Sequence, residues 1–151
     1  MSNHETVNEI LVRLFANILD IEEKCLKIGE FADLSITEMH VIDNIGLTSE
    51  RTMSDTAKAV KVTSGTLTTA IDNLIKKGYV ERRRSSEDRR VVKIRLTERG
   101  REAYKSHEDF HKDLVTSALQ QLNSHEEEVL IKVLTNIDEF FSEKYKYAGW
   151  Y

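Results

Sequence analysis

The segment from Tyr79 to Leu96 most constrains the fold, because it predicts a charged β-hairpin in a chain that otherwise has helical periodicity. Val92, Ile94 and Leu96 alternate with polar residues, which is typical of a half-buried strand. A polar turn at residues 85–88 separates this strand from an earlier one that begins at Tyr79. The chain is therefore predicted to be mainly α-helical with a small β-hairpin.

Apolar residues elsewhere recur at spacings of three and four, which predicts helices. Ser35 with Glu38 and Ser124 with Glu127 form the pattern of a capping box, while Gly46 and Gly78 are placed to end helices. The absence of proline from all 151 residues agrees with helices that run uninterrupted. The predicted helices span about residues 5–28, 35–45, 53–60, 63–77, 97–121 and 124 onward.

The first predicted helix carries an apolar stripe that is long for a small domain. At 1.5 Å per residue, residues 5–28 extend over roughly 36 Å. Packing against a second subunit would explain a stripe of that length. Its members are Val7, Ile10, Leu11, Leu14, Phe15, Ile18, Ile21, Cys25 and Leu26.

The net charge of −4 conceals a strong asymmetry. Residues 76–105 carry 12 Lys or Arg and 5 acidic residues, so this segment is +7 and the remainder of the chain is −11. A basic block on an acidic protein indicates a site for a polyanion, although a solvated charged surface has the same composition. The single cysteine, Cys25, the polar N-terminus and the lack of a long apolar stretch lead us to expect a cytoplasmic protein without a membrane segment.

Two short helices followed by a basic hairpin form the pattern of a winged helix-turn-helix, whose second helix enters the major groove of DNA. Residues 63–77 place small polar side chains opposite an apolar face, and short hydroxyls can bond base edges and phosphates. Arginines at a hairpin tip suit the narrow minor groove. The alternatives are an amphipathic surface helix and a solubilising loop. The candidate DNA-binding residues are Ser64, Gly65, Thr66, Thr68, Thr69, Asn73, Lys76, Arg82, Arg84, Asp88, Arg89 and Arg90.

Asp88-Arg89-Arg90 followed by Leu96-Thr97-Glu98-Arg99-Gly100 resembles the wing signature of the MarR family of transcription regulators. The resemblance implies one domain over residues 1–151, with a winged helix-turn-helix lobe at 35–96 flanked by dimerisation helices at 5–28 and 97–145. It also implies a homodimer on a palindromic operator in double-stranded DNA. The wing pair would be Asp88 with Arg90.

Several segments are similar to the fatty-acid-synthesis repressors of Gram-positive cocci, among them Ser35–Asp43, Gly65–Thr69 and Gly78–Arg82. That resemblance implies a repressor with long-chain acyl-acyl carrier protein as corepressor and no required cofactor. For the apolar residues that would line an effector pocket, the alternative is that they simply belong to the hydrophobic core. The effector pocket would be lined by Leu14, Phe15, Ile18, Met39, Ile42 and Phe110.

A second hypothesis is a zinc-responsive regulator, because zinc sensors of the same family use ligands at positions matching Glu22, His40, His107 and His111. A hydrogen-bonded polar cluster is the alternative. His107-Glu108-Asp109-Phe110-His111 also has the H-E-x-x-H spacing of zinc proteases. The motif lies inside a predicted dimer helix and lacks a third ligand, so we do not expect an enzyme. Cys25 is a further candidate for redox sensing, although buried unactivated thiols are common.

Overall fold

The structure is a computed structural model and describes residues 1–48 and 50–145, with nothing inferred about the side chain of Tyr145. Six helices and three short strands follow one another along this part of the chain. Their order is α1 (Asn3–Ile28), α2 (Ile36–Ile45), β1 (Arg51–Thr52), α3 (Met53–Val60), α4 (Ser64–Lys76), β2 (Val80–Arg84), β3 (Val92–Leu96), α5 (Glu98–Leu119) and α6 (Ser124–Tyr145). The mainly helical winged helix-turn-helix prediction is confirmed.

The sheet is antiparallel in the order β1-β3-β2. In the hairpin, Val80 pairs with Leu96 and Arg84 pairs with Val92, so the polar tip extends beyond the last pair. Strand β1 pairs Arg51 with Ile94 on the other side of β3. The sequence did not predict β1, because a strand of two residues has no alternation to recognise.

Helix boundaries follow local chemistry. Ser35 and Glu38 form the predicted capping box at the start of α2. The predicted box at Ser124 and Glu127 is wrong by one residue. The side chain of Asn123 instead accepts hydrogen bonds from the backbone N–H groups of His125 (3.0 Å) and Glu126 (3.1 Å), and the Glu126 carboxylate accepts from the Asn123 N–H. Asparagine is an equally good cap, so sequence spacing alone does not separate the two boxes.

The hydrophobic core lies in the middle of the chain. All its buried apolar residues fall between Phe31 and Ala103, in the α1–α2 loop, on α2, α3 and α4, in and just before the hairpin, and on the first turns of α5. The one buried residue of α1 is Glu22, and none of the described side chains of α6 is buried. Helices α1, α5 and α6 instead expose large apolar residues, among them Phe15 and Phe140. No helix among the described residues is long and apolar enough to cross a membrane.

The C-terminal segment of the chain is rich in aromatic residues, and the sequence assigns it no role. Its residues 146–151 lie outside the part of the chain that the structure describes.

Candidate functional site

Helix α4 presents a polar face to solvent, as predicted. Thr63 caps the helix, its hydroxyl oxygen accepting a hydrogen bond from the Thr66 N–H at 3.2 Å. One face is buried in the core through Leu67, Ala70, Ile71 and Leu74, as the apolar spacing predicted. The opposite face carries the predicted DNA-binding residues of this helix. Of these, Ser64, Gly65, Thr66, Thr68, Thr69 and Lys76 are exposed, and Asn73 is half-buried.

The hydroxyls on this face are already engaged as donors. Thr68 Oγ1 donates to the Ser64 carbonyl at 2.8 Å, and Thr69 Oγ1 donates to the Gly65 carbonyl at 3.1 Å. Because each hydroxyl has one proton and two lone pairs, the oxygens remain able to accept hydrogen bonds. The exposed threonines therefore offer acceptors and methyl groups, which suit base amino groups and thymine methyls in the major groove.

Gly65 lies in the first turn of this exposed face. A Cβ atom built on it meets no atom within 4 Å, so packing inside the protein does not require a glycine there. Glycine costs roughly 1 kcal/mol relative to alanine inside a helix. The open space therefore favours a role outside the chain, where a bare backbone allows close approach of a ligand.

The hairpin tip holds one arginine in a fixed orientation. The side chain of Arg90 is 92% exposed. Its Nε donates to Asp88 Oδ1 and its Nη2 donates to Asp88 Oδ2, each at 3.2 Å. The Arg90 backbone N–H donates to the same carboxylate at 3.0 Å. These hydrogen bonds, first those of the guanidinium, lower the pKa of Asp88. Asp88 thus braces Arg90 as the sequence predicted, and leaves the outer face of the guanidinium open.

The remaining wing arginines differ in their surroundings. Arg82 donates a 2.7 Å hydrogen bond to Asp72 on α4, which ties the wing strand to the helix. This guanidinium therefore forms an exposed ion pair within the chain, and its predicted contact with DNA stays a prediction. Arg84 and Arg89 are exposed and form no ion pair with a described residue.

A cluster of histidines and carboxylates, the His cluster, lies where α1, α2 and α5 meet. Its members are Glu22, His40, Asp43, His107 and His111. His107 is buried, with Nδ1 2.7 Å from Asp43 Oδ2 and Nε2 2.8 Å from Glu22 Oε1. The hydrogen bond to Asp43 has the largest effect on the pKa of His107 and raises it. Burial lowers this pKa, but the charge of Asp43 and the contacts with Glu22 raise it, so the pKa of His107 is raised overall.

Glu22 is the centre of this cluster. His40 Nε2 lies 3.4 Å from one of its oxygens, and His111 Nε2 lies 3.3 Å from the other. Burial raises the pKa of Glu22, but its contacts with His107 and His40 outweigh burial and lower the pKa overall. The polar-cluster alternative from the sequence is therefore an adequate description of these contacts.

The same residues also fit a zinc ion. Glu22, His107 and His111 can each offer one ligand atom, and these atoms lie within 4.8 Å of one another. Asp43 lies at hydrogen-bond distance from Nδ1 of His107, the nitrogen that faces away from Glu22. Such a carboxylate–histidine pair usually orients a metal-binding imidazole. Glu108 points elsewhere, since its carboxylate accepts a 3.0 Å hydrogen bond from Lys112. The H-E-x-x-H spacing thus brings His107 and His111 together, but Glu108, the general base of that motif in zinc proteases, lies away from them.

An open cavity of about 70 Å³ lies beside the His cluster, between α1, the α1–α2 loop, α2 and α5. Two of the predicted effector residues, Met39 and Phe110, line it. Ile42 is fully buried in the core instead, and Leu14, Phe15 and Ile18 are exposed on α1. These four are not among the lining residues, which are Glu22, Cys25, Leu26, Gly29, Phe31, Met39, Ala103, Ser106, His107 and Phe110. The spacing of apolar residues alone does not show which turn of α1 faces the cavity.

Known proteins share this architecture. A family model described as the transcriptional regulator SarA/Rot matches residues 27–107. FabT of Streptococcus pneumoniae, crystallised in complex with DNA, superposes with a TM-score of 0.85 and is 42% identical, over 93% of this chain and 99% of that one.

Two further comparisons are more distant. Wild-type MarR of E. coli superposes with a TM-score of 0.67 over 86% of this chain and 95% of its own, and its 22% identity supports the fold alone. The HTH-type transcriptional regulator YdgJ of Bacillus subtilis is 34% identical over 88 residues, or 58% of this chain, and the match spans 54% of its own length.

Proposed function

Because the chain belongs to the MarR family of winged helix-turn-helix transcription regulators, we propose that it is a homodimeric repressor of fatty-acid synthesis genes, with long-chain acyl-acyl carrier protein as its corepressor. Membership makes it a DNA-binding regulator and not an enzyme. The repressed genes, the corepressor and the dimer are the proposed part.

The observation that carries the proposal is the pairing of an exposed polar helix face with a braced arginine. On helix α4, Thr68 and Thr69 offer hydroxyl oxygens as hydrogen-bond acceptors together with their methyl groups. At the hairpin tip, Arg90 is held by its ion pair with Asp88. Contacts to phosphates from Lys76, Arg84 and Arg89 would supply affinity, whereas Ser64, Thr66 and Asn73 with the threonines would supply sequence choice. We expect Arg90 to read the minor groove.

A homodimer is supported by the apolar surface that the single chain leaves uncovered. On α1, Leu14, Phe15 and Ile18 are each at least 50% exposed, and Phe140 on α6 is 54% exposed. Monomeric soluble proteins rarely expose contiguous apolar patches of this extent. A second copy would cover these helices and set two α4 helices about 34 Å apart, one turn of the DNA helix.

The acyl corepressor is supported by the resemblance to fatty-acid-synthesis repressors and by the cavity. Leu26, Phe31, Met39 and Phe110 give its wall an apolar character that suits an acyl chain. A ligand there acts on DNA binding only if it binds the operator-competent arrangement more tightly than the other.

The test is a mobility-shift assay on the promoter of a fatty-acid synthesis operon, with hexadecanoyl-acyl carrier protein and with the unacylated carrier as control. Acylated carrier should tighten binding and unacylated carrier should not. Ser106→Phe, which places a ring at the cavity, should abolish the response while leaving basal binding unchanged. The matched control is Asp109→Phe at an exposed position on the same helix, outside the cavity lining. Equal effects of both carrier forms would contradict the acyl proposal.

A zinc-responsive regulator is the second candidate, favoured by the convergence of Glu22, His107 and His111, with His40 close to Glu22. Four nitrogen and oxygen donors can form a closed tetrahedral site. The test measures zinc content by elemental analysis and DNA affinity during zinc titration. His111→Ala should remove both zinc and its effect, whereas His125→Ala on α6 should change neither. A zinc-free protein whose DNA affinity ignores zinc would exclude this candidate.

A further inference from the structure

Tyr79 is the third residue after α4 and is completely buried. Its hydroxyl donates a 2.7 Å hydrogen bond to Asp33 Oδ1, in the loop between α1 and α2. The ring of Phe31, in the same loop, makes an edge contact with the Tyr79 ring at 6.2 Å between centroids. The loop therefore holds the chain where it leaves the recognition helix.

Lysine and arginine side chains add to this grip. Lys77 Nζ, at the end of α4, donates to the Asp33 carbonyl at 2.5 Å and to the Glu38 carboxylate at 2.7 Å. The Arg99 guanidinium, from α5, lies 4.5 Å from the centre of the Tyr79 ring and 3.6 Å from Asp33 Oδ2. Asp33 thus receives contacts from both the end of α4 and the start of α5.

Helix α5 is attached to the same short segment through its backbone. The Thr97 N–H donates to the Tyr79 carbonyl at 3.0 Å, and Thr97 Oγ1 donates to the Gly78 carbonyl at 2.6 Å. A Cβ atom at Gly100 would collide with that Tyr79 carbonyl. The end of the recognition helix is consequently fixed between the α1–α2 loop and the first turn of α5.

We propose that Asp33 is a positioning residue for operator recognition, which sets the angle and spacing of α4 relative to the dimerisation helices through its contacts with Tyr79, Lys77 and Arg99. We name these four residues the Tyr79 joint. The proposal rests on the proposed function, because spacing matters only when two α4 helices read one duplex. It concerns a residue outside the DNA-facing surface.

The joint is also placed to respond to the cavity. Phe31 lines the cavity and contacts Tyr79, and Asp33 is two residues further along the same loop. A ligand that displaces Phe31 therefore acts on the loop that holds Asp33. Loss of the Asp33 carboxylate would remove its hydrogen bond with Tyr79 and its ion pair with Arg99, and so loosen the hold of that loop on the end of α4, without removing any group proposed to contact DNA.

The experiment begins with a duplex selected by the wild-type protein from a random library, and adds versions with one base pair inserted or deleted between the half-sites. Asp33→Asn and Tyr79→Phe should each weaken binding to the selected duplex by at least about fivefold, a usual size for coupling between sites. They should also reduce the preference for native spacing over altered spacing. The losses of the two single variants should not add fully in the double variant, because Tyr79→Phe removes and Asp33→Asn weakens the same hydrogen bond.

Two controls separate positioning from charge and from stability. Asp20→Asn removes the same charge from an exposed residue on α1 that pairs with Lys24. Val41→Ala destabilises the core through a fully buried residue of α2 outside the joint. Both controls should keep the spacing preference when all variants are folded, as checked by circular dichroism.

Retention of the full spacing preference by Asp33→Asn would overturn the proposal, as would an equal loss in either control. If the wild-type protein selects no duplex at all, the proposed function itself fails, and this result is distinguishable from failure of the joint alone.

Discussion

The Asp88 carboxylate accepts three hydrogen bonds from Arg90, from its backbone N–H, Nε and Nη2, and the arginine side chain is still 92% exposed. An exposed arginine normally samples many rotamers, and ordering it on binding costs free energy. The carboxylate restricts that motion before DNA arrives. The wing is thus organised in advance at its tip, where the charge is needed.

Arg90→Ala should weaken binding to a selected operator duplex by roughly 1–3 kcal/mol and reduce the salt dependence of binding. The reason is the loss of a positioned cation from the hairpin tip. Salt-titrated fluorescence anisotropy measures both quantities. Lys132→Ala removes one positive charge from an exposed position on α6 and should leave both nearly unchanged. An unchanged salt slope in Arg90→Ala would remove this residue from the interface.

Gly100→Ala should lower the free energy of unfolding by roughly 3 kcal/mol, the upper part of the range for atoms forced into a packed interior. The added methyl collides with the Tyr79 carbonyl, which is backbone and cannot rotate away. Urea unfolding at fixed protein concentration measures the change. A variant as stable as the wild type would show that α5 does not dock on Tyr79 as described.

Gly65→Ala should have the opposite effect on stability, raising the free energy of unfolding by up to about 1 kcal/mol, because a Cβ atom meets nothing there and alanine favours the helix. DNA affinity should nevertheless fall, since the methyl lies on the surface proposed to approach the duplex. Urea unfolding and a mobility shift on the same preparation test both statements. A more stable variant with unchanged affinity would place the duplex farther from α4.

Stability should decline at alkaline pH through Tyr79. Burial, followed by the hydrogen bond to Asp33, raises the pKa of Tyr79 to about 12, above the ordinary value of 10.0. The folded chain therefore keeps the phenol proton when the unfolded chain has lost it. The resulting stabilisation is complete below pH 10 and is lost as the pH rises towards about 12.

Urea unfolding of the wild type and of Tyr79→Phe at pH 9, 10 and 11 measures this effect. The stability advantage of the wild type should shrink above pH 10, by about 1.4 kcal/mol at pH 11, which is one unit above the ordinary pKa of 10.0. Tyr104→Phe removes a half-buried phenol outside the joint, and it serves as the control. Parallel curves for the wild type and Tyr79→Phe would contradict the assignment.

Ile18→Asp should convert a dimer into monomers and abolish binding to a palindromic duplex. Ile18 is 51% exposed in the single chain and lies in the apolar stripe of α1. A carboxylate buried there without a partner would cost far more than the contact it replaces. Sedimentation velocity measures the mass, and Asn17→Asp, on the polar side of the same turn, should remain dimeric. A wild-type protein that sediments as a monomer would refute the dimer directly.

Local sequence signals predicted most of the fold. Thr52, Thr63 and Thr97 each cap a helix at or next to its predicted first residue, and Gly46 and Gly78 adopt the positive φ values of 71° and 83° expected after a helix. These signals depend on neighbours within four residues, which the sequence displays directly. The capping role of Asn123 was missed because two adjacent residues offer comparable caps.

Candidate site residues were predictable to the extent that a single element displays them. The polar face of α4 and the Asp88–Arg90 pair each lie within a few residues of one another. Contacts between distant elements gave no such signal. Arg82 pairs with Asp72, and Asp33 with Tyr79 across 46 positions, because the wing folds back on α4 and the α1–α2 loop folds over its end.

The placement of the core has a consequence for how the protein responds to its own abundance. Burial is concentrated between residues 31 and 103, and α6 has no buried side chain among its described residues. If a second copy covers these helices, their free energy depends on protein concentration through mass action. Dilution would then loosen the long helices before the DNA-reading lobe unfolds. The number of copies in the cell would thereby act as an input to repression, alongside any small molecule.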